Sequence, residues 1–144
     1  MKVQVIRSNR KTIGLEVRAD ESVILRAPAV DEISDVEWKS ILGEFTERVN
    51  HFCKIMEVTV GRITIRNQKT RWGSCSSKGN VNFNYQLYYM PRELMDYVII
   101  HELSHRRHMN HSAEFWQEVE KYCKTYRECR KKLRDYDCLL YTSP

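Results

Sequence analysis

Residues 1–30 contain three short stretches in which apolar and polar side chains alternate, the pattern of β-strands with one buried face. The apolar positions are Val3 and Val5, then Ile13, Leu15 and Val17, then Val23 and Leu25. Pro28 follows the third stretch, and proline ends most internal strands because it cannot donate a ladder hydrogen bond. We therefore predict a small antiparallel β-meander over residues 1–30.

The pattern then changes to the spacing of an amphipathic helix. Ser34 followed by Glu37 forms a candidate capping box at its start. Its apolar positions are Trp38, Ile41, Phe45, Val49, Phe52 and Met56. We predict one long helix over residues 31–57 whose aromatic stripe belongs to the core.

Residues 58–136 combine both patterns and are predicted to form the rest of the core. Val58 to Ile65 read as a strand interrupted by Gly61, and Val81 to Leu87 alternate with polar residues as a two-faced strand. Pro91 suits the first turn of a helix, and Ser112 can cap a further one. Residues 137–144 read as a weakly structured tail. The layout predicts a single α+β domain: an antiparallel sheet, a long N-terminal helix, a histidine-bearing helix and C-terminal helices.

Composition narrows the class of protein. The chain has 144 residues, 42% hydrophobic content and a net charge of +5, which suits one folded domain and permits an anionic partner. Neither a signal peptide nor an apolar run long enough for a membrane helix is found, so we expect no membrane association. The five cysteines are odd in number and contain no C-x-x-C motif, which favours reduced thiols and a cytoplasmic location.

The helix after Pro91 carries the sequence His101-Glu102-Leu103-Ser104-His105. Two histidines four residues apart lie one turn apart on the same helical face and can hold one metal ion. The intervening Glu102 could then reach a water at that ion, as in H-E-x-x-H zinc hydrolases. The apolar residues that precede the motif predict that the helix is buried, and buried histidines require partners.

Two histidines compete for the third ligand position. His108 would lie on the same stripe as His101 and His105, about one turn too far along the axis to complete a tetrahedral site. His111 lies ten residues after His101, a spacing used by one class of zinc peptidases, and follows Asn110, a residue type that often stops helices in a left-handed conformation. We therefore favour His111 as the third ligand.

Three segments together resemble a known family. They are Thr70-Arg71-Trp72-Gly73-Ser74-Cys75-Ser76, then Gly79-Asn80-Val81-Asn82-Phe83-Asn84, and finally the histidine run through Asn110-His111-Ser112 with Phe115-Trp116. They resemble the YgjP-like metal-dependent hydrolases, which are related to the SprT-like zinc metallopeptidases of the zincin group. The resemblance implies a zincin-like fold, one zinc per chain bound by His101, His105 and His111, and Glu102 as the catalytic base.

The expected activity is hydrolysis of a peptide bond in a polypeptide lying beside the strand Asn80 to Leu87. Candidate substrate contacts are Arg71, Trp72, Asn82 and Asn84. Two alternatives remain open: hydrolysis of a nucleotide phosphoanhydride held by Arg66, Lys69 or Arg71, with nucleic acid or nucleotide as partner, and a zinc-containing binding domain without catalysis. The unliganded Glu102 argues against the latter, because structural zinc sites usually have four protein ligands.

Overall fold

The computed structural model describes residues 2–6, 27–68 and 71–142, with side chains within 27–68 and 71–136. In chain order the elements are strand β1 (Lys2–Ile6), helix α1 (Asp35–Met56), strands β2 (Arg62–Arg66), β3 (Gly73–Cys75) and β4 (Val81–Asn84), and helices α2 (Arg92–Ser104), α3 (Ala113–Tyr122) and α4 (Tyr126–Thr142). Short 3-10 turns cover Val30–Glu32 and Tyr85–Tyr89. None of the helices in this part of the chain is long and apolar enough to cross a membrane.

Both ends of helix α1 are defined by local interactions. The Ser34 hydroxyl accepts the Glu37 amide at 3.1 Å, which satisfies one of the free N–H groups of the first turn. The Glu37 carboxylate accepts a hydrogen bond from Tyr89. At the other end Glu57 adopts a left-handed conformation, with φ 57°, and terminates the helix. The predicted apolar stripe is buried along its full length, which confirms the long N-terminal helix.

The sheet is mixed, with strand order β1-β2-β4-β3. β1 pairs with β2 and β2 pairs with β4 in parallel, and only β3 and β4 are antiparallel. The prediction of an antiparallel sheet is therefore wrong for these strands, although the α+β class is confirmed. The predicted strands around Ile13–Val17 and Val23–Leu25 lie outside the described residues.

Two connections explain the parallel pairs. The chain between β1 and β2 contains α1, and a long crossover lets consecutive strands run in the same direction. After β2 the chain skips the position next to β2 and forms β3 at the edge of the sheet. It then returns as β4, which fills the position between β2 and β3. The hydrophobic pattern of a strand does not reveal which neighbour fills such a gap.

Two other boundaries differ from the predictions. β4 ends at Asn84 rather than near Leu87, because the Asn84 side chain accepts the Gln86 amide at 3.0 Å and starts a 3-10 turn. Helix α4 runs to Thr142, so the predicted tail from residue 137 is helical through that residue. Its apolar stripe, Tyr126, Cys129, Leu133 and Tyr136, packs into the core at helical spacing and anchors the segment.

The core lies between the sheet and α1, α2 and α3. Phe45 of α1 stacks on Phe83 of β4 with ring centroids 5.6 Å apart. Arg48 of α1 donates two hydrogen bonds, at 3.0 and 2.9 Å, to the Asp96 carboxylate of α2. Bidentate charged pairs of this kind fix orientation as well as distance. The packing holds α2, which bears the histidines, against β3 and β4.

Candidate active site

Helix α2 presents the first two histidines on one face. His101 lies in its last turn and His105 is the C-cap residue, with ring centroids 5.3 Å apart. The residues before them, Val98, Ile99 and Ile100, are buried, as predicted. The H-E-x-x-H segment is therefore at the end of a buried helix, where the chain can turn back over it.

The return of the chain starts earlier than predicted. The helix stops at Ser104, whose carbonyl accepts the amides of Arg107 and His108 in a turn. Asn110 has no left-handed conformation, since Glu57 is the one described non-glycine residue with positive φ. The His108 carbonyl oxygen accepts a hydrogen bond from His105 Nδ1 at 3.1 Å, so His108 contributes its backbone rather than its imidazole.

His111 completes a compact cluster with His101 and His105. One imidazole nitrogen from each lies within 4.8 Å of the others, and His101 Nε2 is 3.4 Å from His111 Nε2. Two nitrogens bound tetrahedrally to one zinc at 2.0–2.1 Å are separated by about 3.3 Å. The three side chains are thus spaced as ligands of a single small cation would be.

Phe115 forms the floor beneath the three imidazoles. Its ring centroid is 4.5, 5.0 and 4.9 Å from those of His105, His101 and His111, and it has no exposed surface. The Ser112 hydroxyl accepts the Phe115 amide at 3.3 Å, which confirms the predicted cap of α3. The sequence pattern does not predict that Phe115 packs beneath the histidines.

Hydrogen bonds and burial set the state of the histidines. A carbonyl can only accept, so His105 Nδ1 carries the proton and its Nε2 lone pair is available to a metal. His101 Nδ1 lies 3.1 Å from the Tyr97 hydroxyl. Burial, with the neighbouring imidazoles, lowers the pKa of His101 to about 3 and also lowers the pKa of His105. Both are neutral near pH 7, the form that binds metals.

Glu102 lies beside the cluster without being part of it. It is 6% exposed, and burial raises the pKa of its carboxyl to about 8, with Arg71 acting in the opposite direction. Strand β3 crosses directly over it: a Cβ added to Gly73 would lie 3.1 Å from Glu102 Cγ and 3.0 Å from Val98 Cγ1. Only a glycine allows this approach without displacement.

Two adjoining clefts meet at Glu102. The histidine cleft, of about 280 Å³, is bordered by the three histidines, by β3 and by Met109. The second cleft, of about 400 Å³, extends from Trp72 and Tyr97 to α4. Arg71, Gly73, His101 and Glu102 line both. The buried carboxylate and the histidine cluster are therefore open to a ligand from two sides.

Comparison with known proteins settles the class of this site. Residues 27–136 match the model of the YgjP-like family, metallopeptidase domain. The chain belongs to the YgjP-like metallopeptidase family. The His101, His105 and His111 triad of this YgjP-like domain is consistent with a zinc site. No match was found among curated protein sequences.

Solved structures support the zincin-like fold. The YgjP-like domain is similar to the metallopeptidase zymogen of Pyrococcus abyssi abylysin, with a TM-score of 0.56 and 26% identity over 62% of this chain and 90% of that one. It is also similar to Wss1 from Saccharomyces cerevisiae, with a TM-score of 0.55 and 12% identity over 91% of each chain. At that identity the likeness to Wss1 concerns the fold alone.

The predicted substrate contacts of the YgjP-like domain divide into two groups. Arg71 and Trp72 line the second cleft. Asn84 has no exposed surface, and its amide donates to the carbonyls of Gln68 and Arg71. Asn84 therefore supports the loop and lines neither cleft, although it was predicted as a substrate contact. Asn82 donates to the Ser74 hydroxyl at 3.1 Å and lines neither cleft, so it braces β3.

Sequence reasoning missed part of the second cleft. Its far wall consists of Arg130, Leu133 and Arg134 of α4, a segment whose charges read as an ordinary solvated helix face. The helical spacing of Arg130 and Arg134 places them on one side of α4. The spacing alone does not indicate that this side faces Glu102.

Proposed function

We propose that this domain hydrolyses peptide bonds with one zinc ion held by Nε2 of His101, His105 and His111, and with Glu102 as general base. The observation that carries the proposal is the convergence of three imidazoles beside a buried carboxylate that is not one of their cluster. Three protein ligands and an open cleft are typical of catalytic zinc sites, whereas structural sites are closed by a fourth ligand.

Hydrogen bonds within the chain orient two of the three proposed zinc ligands. In the ligand tautomer His101 Nδ1 donates to the Tyr97 hydroxyl and His105 Nδ1 donates to the His108 carbonyl, so both rings are held in orientation from behind. The Tyr85 hydroxyl donates to the Pro28 carbonyl at 2.6 Å, so this hydrogen is not available to stabilise an oxyanion. Arg71 remains at the cleft and is the better candidate for that role.

A zinc ion in a site of this kind lowers the pKa of a water molecule to about 7 and polarises a carbonyl. Glu102 accepts the proton of the attacking water and delivers it to the leaving amine. Burial raises the pKa of the Glu102 carboxyl, which makes its carboxylate a stronger proton acceptor, while Arg71 acts in the opposite direction and favours the ionised form. Gly73 allows the substrate-facing strand to lie directly against it.

The polypeptide is proposed to lie along β3, not along β4 as the strand pattern had suggested. β4 is paired on both sides, by β2 and β3, whereas β3 is at the edge of the described sheet. Gly73, Ser74 and Cys75 of β3 line the histidine cleft. An extended peptide can add to such an edge through main-chain hydrogen bonds.

The nucleotide alternative has less support. Among Arg66, Lys69 and Arg71, only Arg71 lines the clefts; Arg66 ends β2, and Lys69 lies outside the described residues. A cytoplasmic location remains a prediction. It is supported by the free thiols of Cys53, Cys75, Cys123 and Cys129 in the described part of the chain.

The decisive experiment compares the zinc-loaded protein with Glu102→Gln on unfolded polypeptides and nucleoside triphosphates. We expect peptide cleavage that is lost in Glu102→Gln, since glutamine has nearly the same shape but cannot accept the proton. Metal analysis of both proteins controls for loss of the ion. Release of phosphate that depends on Glu102, without peptide cleavage, would refute the peptidase proposal.

The ligand assignment is tested by metal content. His111→Ala should lose most of the bound zinc, while His108→Ala should lose little, because His108 contributes its carbonyl oxygen and not its ring. Retention of zinc in His111→Ala together with its loss in His108→Ala would show that the ligand set is wrong.

A further inference from the structure

The second cleft is lined by more positively charged than negatively charged side chains. We call it the arginine cleft, after Arg71 from the loop before β3 and Arg130 and Arg134 from α4, which all line it. Glu102 is the one acidic side chain among its described lining residues. Guanidinium groups stay protonated at any physiological pH, so the excess positive charge is permanent.

The three arginines are available to a ligand. All three are exposed, and none forms an ion pair with another side chain in the described part of the structure. Arg130 lies over the Trp116 ring, 4.4 Å from its centroid, which holds the side chain in place without neutralising it. A cluster of cations that have no ion-pair partner among the described residues attracts an anion to the mouth of the cleft by Coulomb forces.

The floor of the arginine cleft is apolar. Trp72, Val98 and Leu133 are 8%, 3% and 4% exposed and line it below the arginines. A side chain with an aliphatic stem and a terminal carboxylate matches both parts, since the stem would cover the apolar floor and the carboxylate could accept two parallel hydrogen bonds from a guanidinium. The wall shared with His101 and Glu102 places this site next to the reacting groups.

We propose that the arginine cleft is a specificity subsite that binds an acidic side chain, Asp or Glu, of the polypeptide substrate close to the scissile bond. This inference rests on the proposed peptidase function. A nucleic acid strand is less compatible, because the cleft measures only about 400 Å³ and its floor of Trp72, Val98 and Leu133 is apolar.

The test uses peptides that differ only at one position, occupied by Glu, Gln or Lys, with that position moved stepwise along either side of the cleaved bond. At one position we expect kcat/KM for Glu to exceed that for Gln by about 10- to 100-fold, the range of a charge-assisted hydrogen bond. Arg134→Glu should abolish or reverse the preference in favour of Lys. Lys131→Glu is the matched control, since Lys131 is exposed on the same helix, does not line the cleft and changes the net charge equally.

Binding of the same peptides to zinc-loaded Glu102→Gln protein, measured by fluorescence anisotropy, separates this inference from the proposed function. If peptides bind with the Glu preference but none is cleaved by the parent protein, the peptidase proposal fails, and the arginine cleft is a binding site for acidic peptides rather than a subsite for a substrate. Equal affinity and equal kcat/KM for Glu, Gln and Lys peptides would overturn the subsite. It would also be overturned by an equal effect of Lys131→Glu, or by a single-stranded oligonucleotide that outcompetes the Glu peptide in the parent protein but not in Arg134→Glu.

Discussion

Replacing Gly73 by alanine should damage both the stability and the activity of this domain through one methyl group. The added Cβ would lie 3.0 Å from the Asn82 carbonyl oxygen, 3.0 Å from Val98 Cγ1 and 3.1 Å from Glu102 Cγ. Carbon atoms pack best at about 3.5–4.0 Å, so β3 or its neighbours must move by several tenths of an ångström. Overpacking of this kind costs about 1–3 kcal/mol.

The backbone conformation adds nothing to that cost, because Gly79 is the one described glycine with positive φ. The chain also provides a control of opposite sign. Gly43 lies exposed within α1, and a Cβ there meets nothing within 4 Å. Gly43→Ala should therefore stabilise the domain by about 0.5–1 kcal/mol, since alanine is the better helix former.

Urea unfolding of the two variants and the parent, at one pH and metal content, measures both changes in the free energy of unfolding. The peptidase assay on the same samples should show kcat at least about 10-fold lower in Gly73→Ala, because small displacements of a catalytic group are costly. Gly43→Ala should retain the parent kcat. If Gly73→Ala is as stable and active as the parent, then β3 does not depend on this close approach to Glu102, and our account of Gly73 is wrong.

Two further predictions concern Tyr97 and Glu102, which lie next to the histidine triad. Tyr97→Phe should weaken zinc affinity by about 10-fold in chelator competition, because His101 Nδ1 loses its partner while the buried ring remains; unchanged affinity would exclude an orienting role for Tyr97. In the metal-free protein, the raised pKa of Glu102 means that the folded state retains a proton that the unfolded state releases. The contribution of the Glu102 carboxyl to the free energy of unfolding is therefore complete below pH 4.5 and is lost as pH rises through about 8. Glu102→Gln should thus be more stable than the parent at pH 9, by at most about 5 kcal/mol, with the gap closing towards pH 4, and a gap independent of pH would contradict this.

The features that depend on local geometry can be predicted from the amino-acid sequence. Helical spacing places His101 and His105 one turn apart in any helix, and the buried stripe of α1 follows from the same periodicity. Ser34 and Ser112 cap their helices through hydrogen bonds that span three residues. The preference for His111 over His108 was also accessible, because a straight helix cannot bring a third ligand around an ion. The start of the turn at Ser104, rather than at Asn110, could not be predicted from the sequence.

The contacts between distant segments could not be predicted in this way and are seen in the folded structure. Alternating strand patterns say nothing of direction or order, so they could not reveal that β4 is internal and that β3 forms the edge along the histidine cleft. Asn84 reads as an exposed polar residue of a two-faced strand, yet it is buried because the loop before β3 folds over it and accepts its hydrogen bonds. The arginines of α4 acquire their proposed role only because that helix packs beside Glu102. These outcomes depend on contacts between residues far apart in the chain, and no local pattern encodes such contacts.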